Sequence, residues 1–84
     1  MSYQANPSFW KNYHKLPGNI QKLADDSFRL LKRDTRYPSL HFKKVGRFLS
    51  VRVGNHYRAL AVELPQGIVW FWIGTHEEYN KLIN

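Results

Sequence analysis

The sequence predicts an α+β fold: an N-terminal helical hairpin packed on three or four antiparallel strands, with a short helix at the C-terminal end. Two observations predict it. Apolar residues recur every three or four positions as far as residue 34, which is the period of an α-helix. Short segments rich in β-branched and aromatic residues, separated by turn residues, fill positions 40–73. The 84 residues are enough for one domain, which we expect to span residues 1–84.

Two helices are predicted in the first half of the chain. Asn6 followed by Pro7 is typical of an N-cap with proline in the first helical turn. The segment LPGN at residues 16–19 ends this helix. A second helix then runs from about Asn19 to Asp34, with apolar residues along one face. Because the break is short, the two helices are expected to form a hairpin.

Four strands are predicted after Pro38. Short turns containing glycine separate them, which favours antiparallel pairing between successive strands. The last two strands are apolar on both faces, and we expect them at the centre of the sheet. The predicted strands span residues 40–45, 48–53, 57–64 and 68–73.

The last helix is predicted to begin directly after the most apolar strand. Thr75 and Glu78 have the T-x-x-E spacing of a capping box, which makes His76 the first helical residue. A helix N-terminus attracts phosphate and disfavours the imidazolium form of a histidine. A neutral imidazole at this place could take or give a proton near pH 7. The alternative is a polar first-turn residue without a catalytic role.

The charge balance indicates a polyanionic partner. Thirteen Lys and Arg against six Asp and Glu give a net charge of +7, which attracts nucleic acid, an acidic membrane or an acidic protein segment; solubility alone is the alternative. No apolar segment approaches the roughly 20 residues of a membrane span, and no signal peptide is evident. The absence of cysteine excludes thiolate zinc sites and disulfides and is consistent with a reducing cytosol. Histidine spacing and the scarcity of acids among the strands indicate no metal and no cofactor.

Arginines on two successive strands strengthen the case for an anion site. Arg58 opens the third strand on an otherwise apolar face, so it should lie at the rim of a concavity or pair with an acid. Arg52 is six residues earlier, and antiparallel pairing brings the two together. Two guanidinium groups near a neutral histidine can bind a phosphodiester and stabilise charge in its transition state. Lys43 and Lys44 add positive charge, although a solvated surface charge is the simpler explanation of each basic residue alone.

The segments VRVGNHYRALAV and IVWFWIGTHEEYNKLI resemble the bacterial RelE/ParE toxin superfamily, and the ending GTHEEYNKL is most similar to HigB-type and related RelE-like toxins. The resemblance covers nearly the whole chain. It implies a small cytoplasmic toxin that forms a hetero-oligomer with a cognate antitoxin protein. RelE and HigB members cut mRNA without metal, usually on the ribosome, by attack of the ribose 2′-hydroxyl on the adjacent phosphate. ParE members instead inhibit DNA gyrase.

The resemblance also implies roles for individual residues. By position, Arg58 would hold the phosphate and His76 would transfer a proton. Tyr79 would stack on or orient a base, although a core position in the last helix explains it equally well. The RNA backbone would be held by Lys43, Lys44 and Arg52.

The chain departs from the family pattern at three places. Many members begin with a strand, which we expect the short polar segment MSYQAN to lack. Many ribosome-dependent members have lysines near Leu49 and Val51. ParE members and some of the mRNA-cutting members have arginine where Glu77 follows the histidine. We therefore predict a metal-independent mRNA endoribonuclease of a type II toxin-antitoxin system that acts on the translating ribosome. The alternatives are a gyrase inhibitor and a non-catalytic relative that binds antitoxin or nucleic acid.

Overall fold

A computed structural model describes residues 3–83 and has the α+β architecture that the sequence predicts. Within these residues, three helices pack on a sheet of five strands. No helix in this range is long and apolar enough to cross a membrane. The elements in chain order are β1 (Tyr3–Ala5), α1 (Pro7–Tyr13), α2 (Gly18–Arg33), β2 (Lys43–Val45), β3 (Phe48–Val53), β4 (Tyr57–Leu64), β5 (Gly67–Thr75) and α3 (His76–Ile83).

The strands are arranged in the order β1-β5-β4-β3-β2. Strands β2 to β5 form an antiparallel meander. In the whole sheet β4 is the middle strand and β5 lies between β4 and β1, which confirms the interior positions expected for the last two predicted strands. The expectation that the chain lacks a first strand is wrong, because β1 adds to the sheet in parallel with β5, Tyr3 opposite Ile68. Only Tyr3 of its three residues favours a strand by itself, so β1 depends on pairing with the edge that β5 offers.

The strand predicted for residues 40–45 is half as long as expected. Residues Pro38–Leu40 form a 3-10 turn, and His41 adopts a left-handed backbone conformation with φ of 44°. The strand therefore begins only at Lys43. Leu40 is buried by the turn, so an apolar residue that suggested a strand contributes to the core from a different conformation.

Helices α1 and α2 cover one face of the sheet. The side chain of Asn6 accepts a hydrogen bond from the Phe9 amide at 3.0 Å, so the predicted N-cap is present. The two helices meet through Phe9 and Phe28, whose ring centroids are 5.5 Å apart. They follow each other as predicted, but α1 packs mainly on β5, so the helical hairpin is looser than the prediction. The core between helices and sheet consists of Phe9, Ala24, Leu31, Leu40, Leu49, Val51, Val53, Ala59, Ala61, Ile68, Trp70 and Ile73.

Helix α3 covers part of the opposite face. Side chains alternate along a strand, so Ala59 and Ala61 of β4 face the hairpin while Arg58 and Leu60 face α3. Tyr79 of α3 packs directly over Arg58. The layers place Arg52 and Arg58 on the α3 face, at the end of the sheet where β5 passes into α3 at His76.

Candidate active site

The pairing of three strands assembles the basic end of the sheet. Arg58 on β4 lies opposite Arg52 on β3 and opposite Gly74 on β5. Residues directly opposite each other in an antiparallel pair project to the same face. The two arginines expected to approach each other across the turn are therefore neighbours.

Gly74 is a strand residue and not the turn glycine that its position before the last helix suggests. A Cβ atom there would lie 2.5 Å from the Trp72 ring and 2.9 Å from Oε1 of Glu78. Glycine is required at this position because the indole and the carboxylate pack against its backbone.

An open cleft of about 440 Å³ lies beside these residues. The exposed side chain of His76 lies on its wall together with Arg52 and Arg58. Three of the residues identified from the sequence therefore share one cavity. The complete lining is Arg52, Asn55, His56, Tyr57, Arg58, His76 and Glu77.

The capping box places His76 as the first residue of α3. The Thr75 amide and hydroxyl both donate to Oε1 of Glu78 at 3.0 Å, and the Glu78 amide donates to the Thr75 hydroxyl at 3.2 Å. These hydrogen bonds lower the pKa of the Glu78 carboxyl, and the bond from the Thr75 amide has a larger effect than the bond from the Thr75 hydroxyl. The His76 amide donates to the carbonyl of His56 at 2.8 Å. Several helix-start amides are thus already engaged, so attraction for an anion depends mainly on the arginines.

Arg58 is a buried cation that no carboxylate neutralises within residues 3–83. Its side chain is 7% exposed, and Nη1 donates to the hydroxyl of buried Ser50 at 2.9 Å. Its guanidinium carbon lies 5.1 Å from the centre of the Tyr79 ring, and Nε has no hydrogen-bond partner among the described residues. Burying a charge with only neutral partners is costly. The uncompensated charge forms part of the cleft wall, where it is available to an anion.

Arg52 is half-buried and is held by the β3–β4 turn. Its Nε donates to the Gly54 carbonyl at 2.9 Å and its Nη2 to Asn55 Oδ1 at 3.0 Å, while Nη1 lies 3.3 Å from Nε2 of His41. This turn needs glycine because Gly54 has a φ of 63°. Like charges directly opposite each other destabilise a strand pair, so an anion between Arg52 and Arg58 would relieve their repulsion.

Tyr79 lies in the interior, 2% exposed. Its ring covers Arg58 and its hydroxyl has no hydrogen-bond partner among the described residues. A ring so buried offers no face for a base to stack on, so the structure favours the core interpretation of Tyr79 over the base-stacking one. Its contact with the guanidinium lets it position Arg58 from behind.

The adjacent lysines project to opposite faces. Lys43 pairs with Ser50, which belongs to the Arg58 face, and Lys44 pairs with Leu49, which belongs to the hairpin core. Both side chains are exposed, and neither lines the cleft. The sequence interpretation grouped them as one backbone-binding pair, whereas the fold brings only Lys43 to the face of the cleft.

Four residues of the cleft were not identified from the sequence as site candidates: Asn55, His56, Tyr57 and Glu77. The segment that contains His56 reads as a turn, which hid its proximity to the last helix. His56 does lie in that turn, and its proximity to the last helix comes from the hydrogen bond that its carbonyl accepts from the His76 amide, for which the sequence holds no local signal.

A second cavity of about 430 Å³ lies between β1 and the helical hairpin. Aromatic side chains line much of it, including Tyr3, Trp10 and Trp70, and no histidine does. The titratable imidazoles and the uncompensated arginine are in the other cavity, which is therefore the candidate for acid–base chemistry. Within residues 3–83, no cluster of three or more His, Asp or Glu side chains could hold a metal ion.

The fold is shared with solved toxin structures. A chain of the RelB–RelE antitoxin–toxin complex from Methanococcus jannaschii is 18% identical, with a TM-score of 0.72 over 96% of this chain and 99% of that one. A chain of the RelBE2 toxin–antitoxin complex from Mycobacterium tuberculosis is also 18% identical, with a TM-score of 0.70 over 89% of this chain and 96% of that one. A double mutant of Escherichia coli RelE in the free state is 10% identical, with a TM-score of 0.67 over 93% of this chain and 85% of that one. At these identities the likeness establishes the fold.

Sequence similarity establishes the family. No curated protein is similar enough to this chain to count as a match. The model of the ParE-like toxin domain matches residues 18–81, which is most of the chain and includes β2 to β5 and the cleft. The chain therefore belongs to the ParE-like toxin domain family, within the RelE/ParE toxin superfamily.

Proposed function

We propose that the protein is the toxin of a type II toxin-antitoxin system and cuts mRNA on the translating ribosome without a metal ion. The observation that carries the proposal is the cleft in which the exposed imidazole of His76 lies beside the uncompensated guanidinium of Arg58. A net charge of +7 attracts RNA to the protein.

The chemistry is attack of a ribose 2′-hydroxyl on the adjacent phosphodiester. The attack requires removal of the hydroxyl proton, stabilisation of charge on the non-bridging oxygens, and protonation of the departing 5′-oxygen. His76 transfers one of the two protons. Arg58 binds the phosphate, and Arg52 adds a second positive charge beside it. Tyr79 holds the Arg58 guanidinium from the interior.

The partner that we propose is a cognate antitoxin protein. Two of the structures with the same fold are toxin–antitoxin complexes, and the family model describes a toxin domain. A hetero-oligomer with an antitoxin follows from the same proposal. Co-expression with the neighbouring reading frame, followed by size-exclusion chromatography, tests it: co-elution supports the pairing, and separate elution contradicts it.

Cleavage of ribosome-bound mRNA tests the catalytic proposal. The purified protein, the His76→Ala variant and a His14→Ala control are each incubated with programmed ribosomes, and cut sites are mapped by primer extension. His14 is an exposed histidine at the end of α1, far along the chain from the cleft. Loss of a proton-transfer group should slow cleavage by at least about 100-fold, while the control should cut as the unaltered protein does. Equal cutting by all three proteins, or none by any, contradicts the proposal.

Gyrase inhibition is the second candidate, and the ParE-like description of the family model favours it. The same basic face and α3 would then bind a protein target. Supercoiling assays with purified gyrase separate the two candidates. Growth arrest with mRNA intact and supercoiling blocked supports the second, and a protein inert in both assays would be a non-catalytic relative that binds antitoxin or nucleic acid.

A further inference from the structure

We propose that His56 is the second proton-transfer group of the cleft, so that His56 and His76 act as an acid–base pair on one phosphodiester. This inference rests on the proposed nuclease function. The reaction requires one group that removes a proton and one that donates a proton, and His76 can be only one of the two.

The turn before β4 and the start of α3 bring the two histidines together. On the paired strands β4 and β5, Arg58 lies opposite Gly74 and Tyr57 lies opposite Thr75. Just beyond this last pair, the amide of His76 donates to the carbonyl of His56 at 2.8 Å. The side chains of both histidines line the one cleft, so a single phosphodiester bound there can contact both rings.

The lining of the cleft shows that both rings lie on the same side of the molecule as the arginines. His56 lies in the turn before β4 and His76 at the start of α3, and both side chains are exposed. Both line the cleft together with Arg52 and Arg58. The phosphate-binding guanidinium and the two imidazoles thus surround one space.

The other titratable groups are less suited to the role. His14 lies at the end of α1, and His41 lies against the Arg52 guanidinium and does not line the cleft. Glu77 also lines the cleft, and the Glu77→Gln variant tests whether its carboxylate takes part. An imidazole can serve as a base in its neutral form and as an acid in its protonated form, so two rings can take the two complementary roles.

The balanced reaction uses one ring as base and the other as acid. The neutral ring accepts the 2′-hydroxyl proton as the bond from O2′ to phosphorus forms. The protonated ring donates its proton to O5′ as the bond from phosphorus to O5′ breaks. The products are a 2′,3′-cyclic phosphate and a 5′-hydroxyl, with no net change in protons. Arg58 stabilises charge on the non-bridging oxygens throughout.

A substrate with sulfur in place of the bridging 5′-oxygen tests the pair directly. A thiolate leaves without protonation, so this substrate no longer needs the acid but still needs the base. Single-turnover cleavage on programmed ribosomes is measured for the 5′-oxygen and 5′-sulfur substrates with the unaltered protein, His56→Ala, His76→Ala and the His14→Ala control. Circular dichroism confirms that each exposed-site variant is folded. Glu77→Gln is measured alongside to test the carboxylate.

We expect His56→Ala and His76→Ala each to lose about 100-fold or more on the oxygen substrate. Sulfur should restore the rate of one variant and not of the other, which a merely structural role would not produce. The pair is contradicted, with the nuclease function intact, if His56→Ala cuts the oxygen substrate within threefold of the unaltered protein. It is also contradicted if sulfur restores both variants or neither. If the unaltered protein cuts neither substrate, the proposed function itself is wrong and the pair is wrong with it.

Discussion

Replacing Arg58 by methionine, together with Ser50→Ala, is expected to stabilise the protein while abolishing cleavage. Arg58 is buried without an acidic partner, and its polar contact among the described residues is the Ser50 hydroxyl. Methionine is long and flexible enough to occupy the space beneath Tyr79. The companion change removes a buried hydroxyl that would otherwise lose its partner, since such a loss costs about 1–3 kcal/mol.

The expected change in the free energy of unfolding is the balance of one stabilising and two destabilising effects. Removing the charge recovers a desolvation cost of several kcal/mol. Against this, the protein loses a charge-assisted hydrogen bond worth about 1.5–3 kcal/mol and a cation–π contact worth about 0.5–2 kcal/mol. Hydrophobic replacement of buried ionic groups is often stabilising by about 1–4 kcal/mol. We therefore expect the free energy of unfolding to rise by about 1–3 kcal/mol, which lies within the range found for such hydrophobic replacements.

Urea unfolding monitored by tryptophan fluorescence measures the change, with the ribosome cleavage assay run on the same preparations. For a domain of this size each kcal/mol shifts the melting temperature by about 4–8 °C, so thermal unfolding gives an independent check. Arg47→Met is the matched control, because Arg47 is exposed in the turn before β3; it should change neither stability nor cleavage. If the Arg58 and Ser50 double variant is destabilised by more than about 1 kcal/mol, comparable to one net hydrogen bond, Arg58 is a structural residue and the reasoning is refuted.

Three further predictions concern the surroundings of the cleft. Gly74→Ala should lower the free energy of unfolding by about 1–3 kcal/mol through overpacking, and unchanged urea unfolding contradicts this. Folding lowers the pKa of Glu78, so the ionised carboxylate stabilises the folded protein above the pKa of the unfolded chain, and this stabilisation is lost as the pH falls through the pKa of the folded state. The free energy of unfolding, measured with urea from pH 7 to 3, should therefore depend less on pH in Glu78→Gln than in the unaltered protein. Lys43→Ala should reduce the salt dependence of RNA binding by about one unit of slope, whereas Lys44→Ala should not; equal slopes contradict the assignment of faces.

Local signals in the sequence were sufficient for most of the fold. The Asn6 cap, the capping box at Thr75 and the glycine turns each depend on residues close together in the chain, and all three are present. Strand β1 was missed because its pairing with β5 joins residues 65 positions apart, as Tyr3 and Ile68 show. The start of β2 was misplaced because the left-handed conformation of His41 is not encoded in a hydrophobic pattern.

The candidate site was predictable only in part. Antiparallel pairing across a short turn was enough to bring Arg52 and Arg58 together, whereas His56 lies in the turn itself, to which the period of a strand does not apply. The burial of Tyr79 depends on how α3 crosses the sheet, which sequence spacing does not determine. The absence of an acid beside Arg58 among the described residues is likewise a property of tertiary packing.

The chemical ends of the cut mRNA test the central claim most directly. If the groups of this cleft activate the ribose 2′-hydroxyl, the upstream fragment carries a 2′,3′-cyclic phosphate and the downstream fragment a 5′-hydroxyl. End-group analysis of fragments produced on the ribosome, with His76→Ala as the inactive reference, should show these ends. Fragments with a 3′-hydroxyl and a 5′-phosphate would mean that water is the nucleophile, and they would contradict the mechanism assigned to His76 and Arg58.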